Sequence, residues 1–67
     1  MTTGMIVANA RKRLGITQAE LAENIGVSRN TVSRIENDEY ANMTAHTALN
    51  LARALGVSLD YLLCLKL

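Results

Sequence analysis

The 67-residue chain has no proline, phenylalanine or tryptophan, and only two tyrosines, one cysteine and one histidine. A single cysteine (Cys64) excludes an internal disulfide. With only His46 beside it, a four-ligand zinc site built from Cys and His is excluded as well. The scarcity of aromatic residues argues against a β-sandwich, and the abundance of Ala and Leu favours helices. A domain this small buries only about 60 % of the surface of its unfolded chain, so helix packing, oligomerisation or both must hold it together. The stretch Ala41–Ala52 carries no charge but includes Asn, Thr and His, and it is too short for a membrane-spanning helix. The first ten residues are uncharged and the basic run Arg11-Lys12-Arg13 follows them, which is the reverse of a signal peptide. The expectation is a cytoplasmic protein with no membrane role, where a lone thiol is at home. No Ser-His-Asp, paired-carboxylate or phosphate-loop constellation is present, so neither enzyme activity, a cofactor nor a metal is expected. His46 reads as a helix-surface residue and Cys64 as a packed thiol.

Charge is scarce too. Seven Lys and Arg against six Asp and Glu leave a net charge of +1, an unpromising figure for a nucleic-acid binder. The average hides a polarity, however. Met1–Arg34 holds five basic and two acidic residues, whereas Ile35–Leu67 holds two basic and four acidic.

What is abundant is punctuation. The pattern apolar–Gly–β-branched apolar–Ser/Thr occurs three times: Leu14-Gly15-Ile16-Thr17, Ile25-Gly26-Val27-Ser28 and Leu55-Gly56-Val57-Ser58. The Gly ends one helix and the hydroxyl residue caps the next. The apolar residue between them staples onto the fourth helical position, which is Leu21, Val32 and Leu62 in turn. Glu20 completes a capping box with Thr17. Helices are therefore expected over Gly4–Leu14, Gln18–Ile25, Arg29–Asn37, Ala45–Leu55 and Leu59–Leu65, with Thr44 capping the fourth. Helical spacing selects Val7, Ala10 and Leu14 as the buried face of the first helix. It selects Leu21, Ala22 and Ile25 in the second, and Val32 and Ile35 in the third. Ala45, Ala48, Leu49, Ala52 and Leu55 are selected in the fourth. The expected architecture is a single all-α domain over 1–67, a compact bundle of five helices.

The third helix differs from the rest in offering a broad polar face. Arg29, Asn30, Ser33 and Arg34 cluster there at helical spacing. Arg pairs two donors with guanine O6 and N7, Asn pairs bidentately with adenine, and Ser serves bases or phosphates. A solvated surface would carry similar residues. The short second helix and the Gly26 turn in front of it, however, match the way a helix-turn-helix presents its second helix to a major groove. Ala22 is small where the two helices cross, and Gly26 occupies a turn that would strain a Cβ.

These residues carry a family resemblance. Gln18-Ala19-Glu20-Leu21-Ala22, Gly26-Val27-Ser28 and Thr31-Val32-Ser33-Arg34-Ile35-Glu36 resemble the helix-turn-helix of the phage repressor and Cro group, the XRE family. Gly4, Val7 and Arg11 fit its first helix, and Leu49, Ala52, Leu55–Asp60 and Leu62-Leu63 fit its last two. The resemblance implies a lambda-repressor-like fold with the motif at about 17–37, and a sequence-specific regulator of transcription that acts on double-stranded DNA, a repressor. It implies base contacts from Arg29, Asn30, Ser33 and Arg34. Phosphate contacts would come from Thr17, Gln18, Ser28 and Thr31, although capping alone also explains Thr17 and Ser28. It implies an Arg11–Glu36 pair, where two ordinary exposed charges are the alternative.

A homodimer on a palindromic operator is the expected working form. Its surface would be the C-terminal end, 59–67, through Tyr61, Leu62, Leu65 and Leu67; the alternative is that this end packs under the first helix. The chain departs from the family in having Met43 near a usual Pro, and acidic residues in the loop Asp38-Glu39-Tyr40-Ala41-Asn42. Acids at a helix C-terminus oppose the helix dipole. Either Asp38 and Glu39 point away from DNA, or Glu39 and Tyr40 face a protein partner. An antitoxin or other protein-interaction module of the same fold, and the DNA-binding front end of a longer regulator, are the alternative readings.

Overall fold

The computed structural model describes residues 1–40 and 43–64. Five helices follow one another: α1 (Thr3–Arg13), α2 (Gln18–Ile25), α3 (Arg29–Glu36), α4 (Ala45–Leu55) and α5 (Leu59–Leu62). There is no strand among the described residues. Each expected cap is in place. The hydroxyls of Thr17, Ser28, Thr44 and Ser58 accept from the amide three residues on. The capping box closes in both directions, with Glu20 N–H to Thr17 Oγ1 at 3.0 Å and Thr17 N–H to Glu20 Oε1 at 2.9 Å. Gly26 ends α2 at φ 74°, a left-handed conformation that a Cβ would strain. Ile16, Val27 and Val57 pack against the core as staples.

Four ends differ from expectation: α1 and α3 each stop one residue early, at Arg13 and Glu36, and two further ends have clear local causes. The first helix starts at Thr3 rather than Gly4 because Thr2 supplies a cap, accepting from Met5 N–H at 3.2 Å. The last helix stops at Leu62, three residues short of Leu65, and Cys64 then adopts φ 57°. Leu65, Lys66 and Leu67 lie outside the described residues. Cys64 is exposed rather than packed.

α2 packs on α3 and α4, while α1 packs on α3, α4 and α5. Each helix sends one side chain fully into the centre: Val7, Leu21, Val32, Leu51 and Leu62. Burial of each contributes roughly 1.5–3 kcal/mol. The expected faces of α2 and α3 are buried as read, but those of α1 and α4 need correction. Leu14 is exposed because it sits beyond the last helical residue and leaves the buried stripe, and Ile6 takes its share of the core. In α4 the buried residues are Ala48, Leu51, Ala52 and Leu55, whereas Ala45 and Leu49 face outward.

α1 approaches α3 closely at Gly4. A Cβ built on Gly4 would stand 2.5 Å from the Glu36 carbonyl oxygen, 2.7 Å from that of Ile35 and 2.8 Å from Asp38 Oδ1. Glycine is therefore required here for space, although its φ is ordinary.

Candidate nucleic-acid interface

α3 is held by the buried pair Val32 and Ile35 and by the covered Glu36, and its Arg29–Asn30–Arg34 side faces outward. Arg29, Asn30 and Arg34 are exposed, and Ser33 and Thr31 are half-buried. The four residues expected to meet bases therefore share one helix, with three of them open to solvent. A guanidinium edge and an Asn amide on an exposed helix can each make paired hydrogen bonds to a planar partner.

Thr17 and Ser28 are both occupied as caps, but a cap uses only a lone pair of the hydroxyl oxygen. The O–H of Thr17 stays free to donate. Ser28 accepts from Thr31 N–H at 3.2 Å and shares a hydroxyl–hydroxyl bond with Thr31 at 3.0 Å, so one O–H of the two remains outward-facing. Because the capping box satisfies the amides of Thr17 and Glu20, the open N–H groups of the first turn of α2 are those of Gln18 and Ala19. Such an end favours an anion.

The Gln18 side chain does something the sequence did not disclose. Its Nε2 donates to Glu36 Oε1 at 3.1 Å, a part-buried bond that ties the start of α2 to the end of α3 and uses one of the two amide N–H groups. Glu36 also receives Arg11 in a forked pair, Nε to Oε2 at 2.6 Å and Nη2 to Oε1 at 3.1 Å. Arg11 Nη1 donates to the Ile16 carbonyl at 2.9 Å. The pair is largely covered, with side chains 12 % and 8 % exposed. The Glu36 hydrogen bonds, and then its charge, hold the Arg11 pKa above its ordinary value although burial opposes them. One guanidinium thus binds the end of α1, the turn after it and the end of α3.

Asp38 sits just past the C-terminus of α3 but finds a partner at the start of α1. At φ 59° the chain turns back, and Asp38 Oδ1 accepts from Gly4 N–H at 2.9 Å at the N-terminus of α1. The Thr2 hydroxyl and then the Gly4 amide hold its carboxyl below the usual carboxylate range. A negative charge there lies at the favourable end of the α1 dipole.

Ala22 is buried at 3 % exposure, as its role at a helix crossing requires. Of the residues expected at a dimer surface, Tyr61 is exposed at 52 % and Leu62 is fully buried within the chain's own core. Leu62 is therefore withdrawn from that surface, because its side chain is already covered by its own helices. Leu65 and Leu67 lie outside the described residues. The close approach at Gly4, the Asp38 bond to its amide and the Tyr40 ring beside Arg34 were not read from the sequence. A glycine inside a helix with no turn to make was the one available signal, and it pointed to a close approach.

Comparison with known proteins accords with this geometry. The helix-turn-helix family model matches residues 7–62. The HTH-type transcriptional regulator ImmR of Bacillus subtilis (strain 168) is 38% identical over 63 residues, covering 94% of this chain and 49% of that protein. The chain thus spans about half the length of that relative. An uncharacterized HTH-type transcriptional regulator of Methanothermobacter thermautotrophicus is 43% identical over 53 residues, covering 76% of this chain and 72% of that protein. Among solved structures, the P22 c2 repressor in complex with a synthetic operator superposes with a TM-score of 0.88 at 36% identity, covering 94% of each chain. The solution structure of the P22 c2 repressor DNA-binding domain gives a TM-score of 0.85 at 35% identity, over 92% of this chain and 80% of that one. The chain belongs to the helix-turn-helix family of phage-repressor and Cro type, with α2 and α3 as the two helices of the motif.

Proposed function

We propose that the protein is a transcriptional regulator, a repressor, that binds a specific double-stranded DNA sequence as a homodimer and works in the cytoplasm. The observation that carries this reading is the open polar face of α3, mounted on a scaffold that superposes on a repressor solved with its operator. Arg29, Asn30, Ser33 and Arg34 meet base edges in the major groove. The Thr17 hydroxyl, the Gln18 backbone amide and the Ser28–Thr31 hydroxyl pair meet phosphates at two helix N-termini. The Gln18 side chain gives one N–H to Glu36 and keeps its second N–H for a phosphate.

One such module covers only ~600–1,000 Å² of interface, so two copies about one DNA turn apart (~34 Å) are needed for a demanding site. The dimer contact lies at the C-terminal end around Tyr61, which is exposed there. Asp38 and Glu39 are both exposed, but Asp38 is turned toward α1 by its bond to the Gly4 amide and does not confront phosphates.

Selection of bound DNA from a random pool tests the reading. A palindromic consensus is expected. An unpalindromic consensus overturns the dimer, and no enrichment overturns DNA recognition in favour of a protein-interaction module.

A further inference from the structure

Arg34 is exposed at the last turn of α3, and no carboxylate lies within ion-pair distance of it among the described residues. A free Arg side chain samples many rotamers, and fixing one on a partner costs entropy. This one has an aromatic neighbour. Its guanidinium carbon stands 6.0 Å from the centroid of the Tyr40 ring, within the reach of a cation–π contact.

The ring is itself anchored. Tyr40 is half-buried, packs against the core, and lines a groove with Ile35, Met43 and Leu63. The backbone fixes the spacing between the two residues. Glu39 N–H donates to the Arg34 carbonyl at 2.8 Å, and Asp38 N–H donates to that of Ile35 at 3.1 Å. The turn after α3 therefore folds back onto the residue whose side chain the ring supports.

Guanidinium geometry gives this contact its use. The five N–H donors lie in the plane of the group, whereas an aromatic ring occupies its face. A supported face leaves every donor on the edge available for guanine O6 and N7. The geometry points to Tyr40 as a positioning residue that pre-orients Arg34 for base readout without touching the base. This rests on the reading of α3 as the DNA-reading helix and deepens it.

The test has two arms. In the free protein, NMR shifts of the Arg34 δ protons are expected to be displaced upfield by the ring, to keep that displacement in Tyr40→Phe and to lose it in Tyr40→Leu. In the DNA arm, binding is measured to the selected site and to its single base-pair variants. Tyr40→Leu is expected to weaken site binding roughly two- to fivefold, the size of an exposed cation–π contact. The loss is expected only at the base pair that Arg34→Ala identifies, and not at all in an Arg34→Ala background. Tyr40→Phe is expected to match the parent.

Undisplaced Arg34 shifts in the parent overturn the inference, and this needs no variant to fold. A uniform loss across all sequences, or a loss in Tyr40→Phe, overturns it in favour of a Tyr40–phosphate contact. Should the parent bind no DNA, the proposed function fails and this role fails with it. The NMR arm then still records whether the stack exists.

Discussion

Gly4→Ala sets two effects of opposite sign against each other. Alanine in place of glycine ordinarily stabilises a helix by roughly 0.5–1 kcal/mol, because glycine loses more backbone freedom on folding. Here the added methyl would lie 2.5 and 2.7 Å from two backbone carbonyl oxygens of α3, where ordinary contact begins at 3.4 Å. Neither oxygen belongs to a side chain that can swing aside. α1 must move away from α3 as a body, and the Asp38 bond to the Gly4 amide at 2.9 Å stretches with it. Overpacking of this kind costs about 1–3 kcal/mol, and the rigid neighbours place it at the upper end. The net expectation is a loss of about 2 kcal/mol, which lowers the Tm of a domain this size by roughly 8–16 °C. Thermal unfolding followed by circular dichroism measures it, with Met5→Ala on the exposed side of the same turn as the control. A Gly4→Ala protein that melts at or above the parent temperature would show that propensity wins, and the close approach would lose its significance.

Other consequences are open to measurement. Glu36→Ala strands the covered Arg11 guanidinium and is expected to cost about 2–3 kcal/mol in chemical denaturation, below the range for deeper pairs because water reaches this one's edge. The double change Arg11→Met with Glu36→Leu is expected to cost less than Glu36→Ala alone, and an equal or larger cost would refute a desolvation-dominated pair. The native-state pKa of Asp38 lies below its unfolded value, so its contribution to stability is complete above about pH 5 and disappears as pH falls through the native-state value. Asp38→Asn should therefore flatten the acid limb of a Tm-against-pH curve, and an unchanged limb would remove Asp38 from the α1 terminus. Asn30→Ala and Arg34→Ala are each expected to weaken operator binding by ~1–3 kcal/mol and to relax specificity at one position. Equal weakening on random DNA would reassign either residue to phosphate.

The local punctuation of this fold was legible in the sequence. Thr17, Ser28, Thr44 and Ser58 each bond within three residues of themselves, so a short window contains the whole interaction. The Arg11–Glu36 pair followed from resemblance, since 25 positions separate the partners and no local rule joins them. In α4, two stripes satisfy helical spacing: the expected one through Ala45, Ala48, Leu49, Ala52 and Leu55, and the buried one through Ala48, Leu51, Ala52 and Leu55. Which is buried depends on where α1, α2 and α5 pack, and periodicity alone carries no such information. The partner of Asp38 was not legible because it lies 34 residues away, whereas the dipole of its own helix is adjacent in sequence. Of the candidate site, the polar face of α3 was legible; the diversion of the Gln18 amide to Glu36 and the support of Arg34 by Tyr40 required three-dimensional neighbours.

The contrast between near and distant ties has a kinetic consequence. The capped junctions need almost no loop closure and can form on the timescale of helix nucleation, whereas the seam from Gly4 to Asp38 requires closure of more than half the chain. Assembly should therefore begin around the α2–α3 corner and finish when the N-terminus docks. Opening should run in reverse, with the amides of the first turn of α1 exchanging with solvent before those of α2. The DNA-facing corner would then be the last part of the domain to come apart.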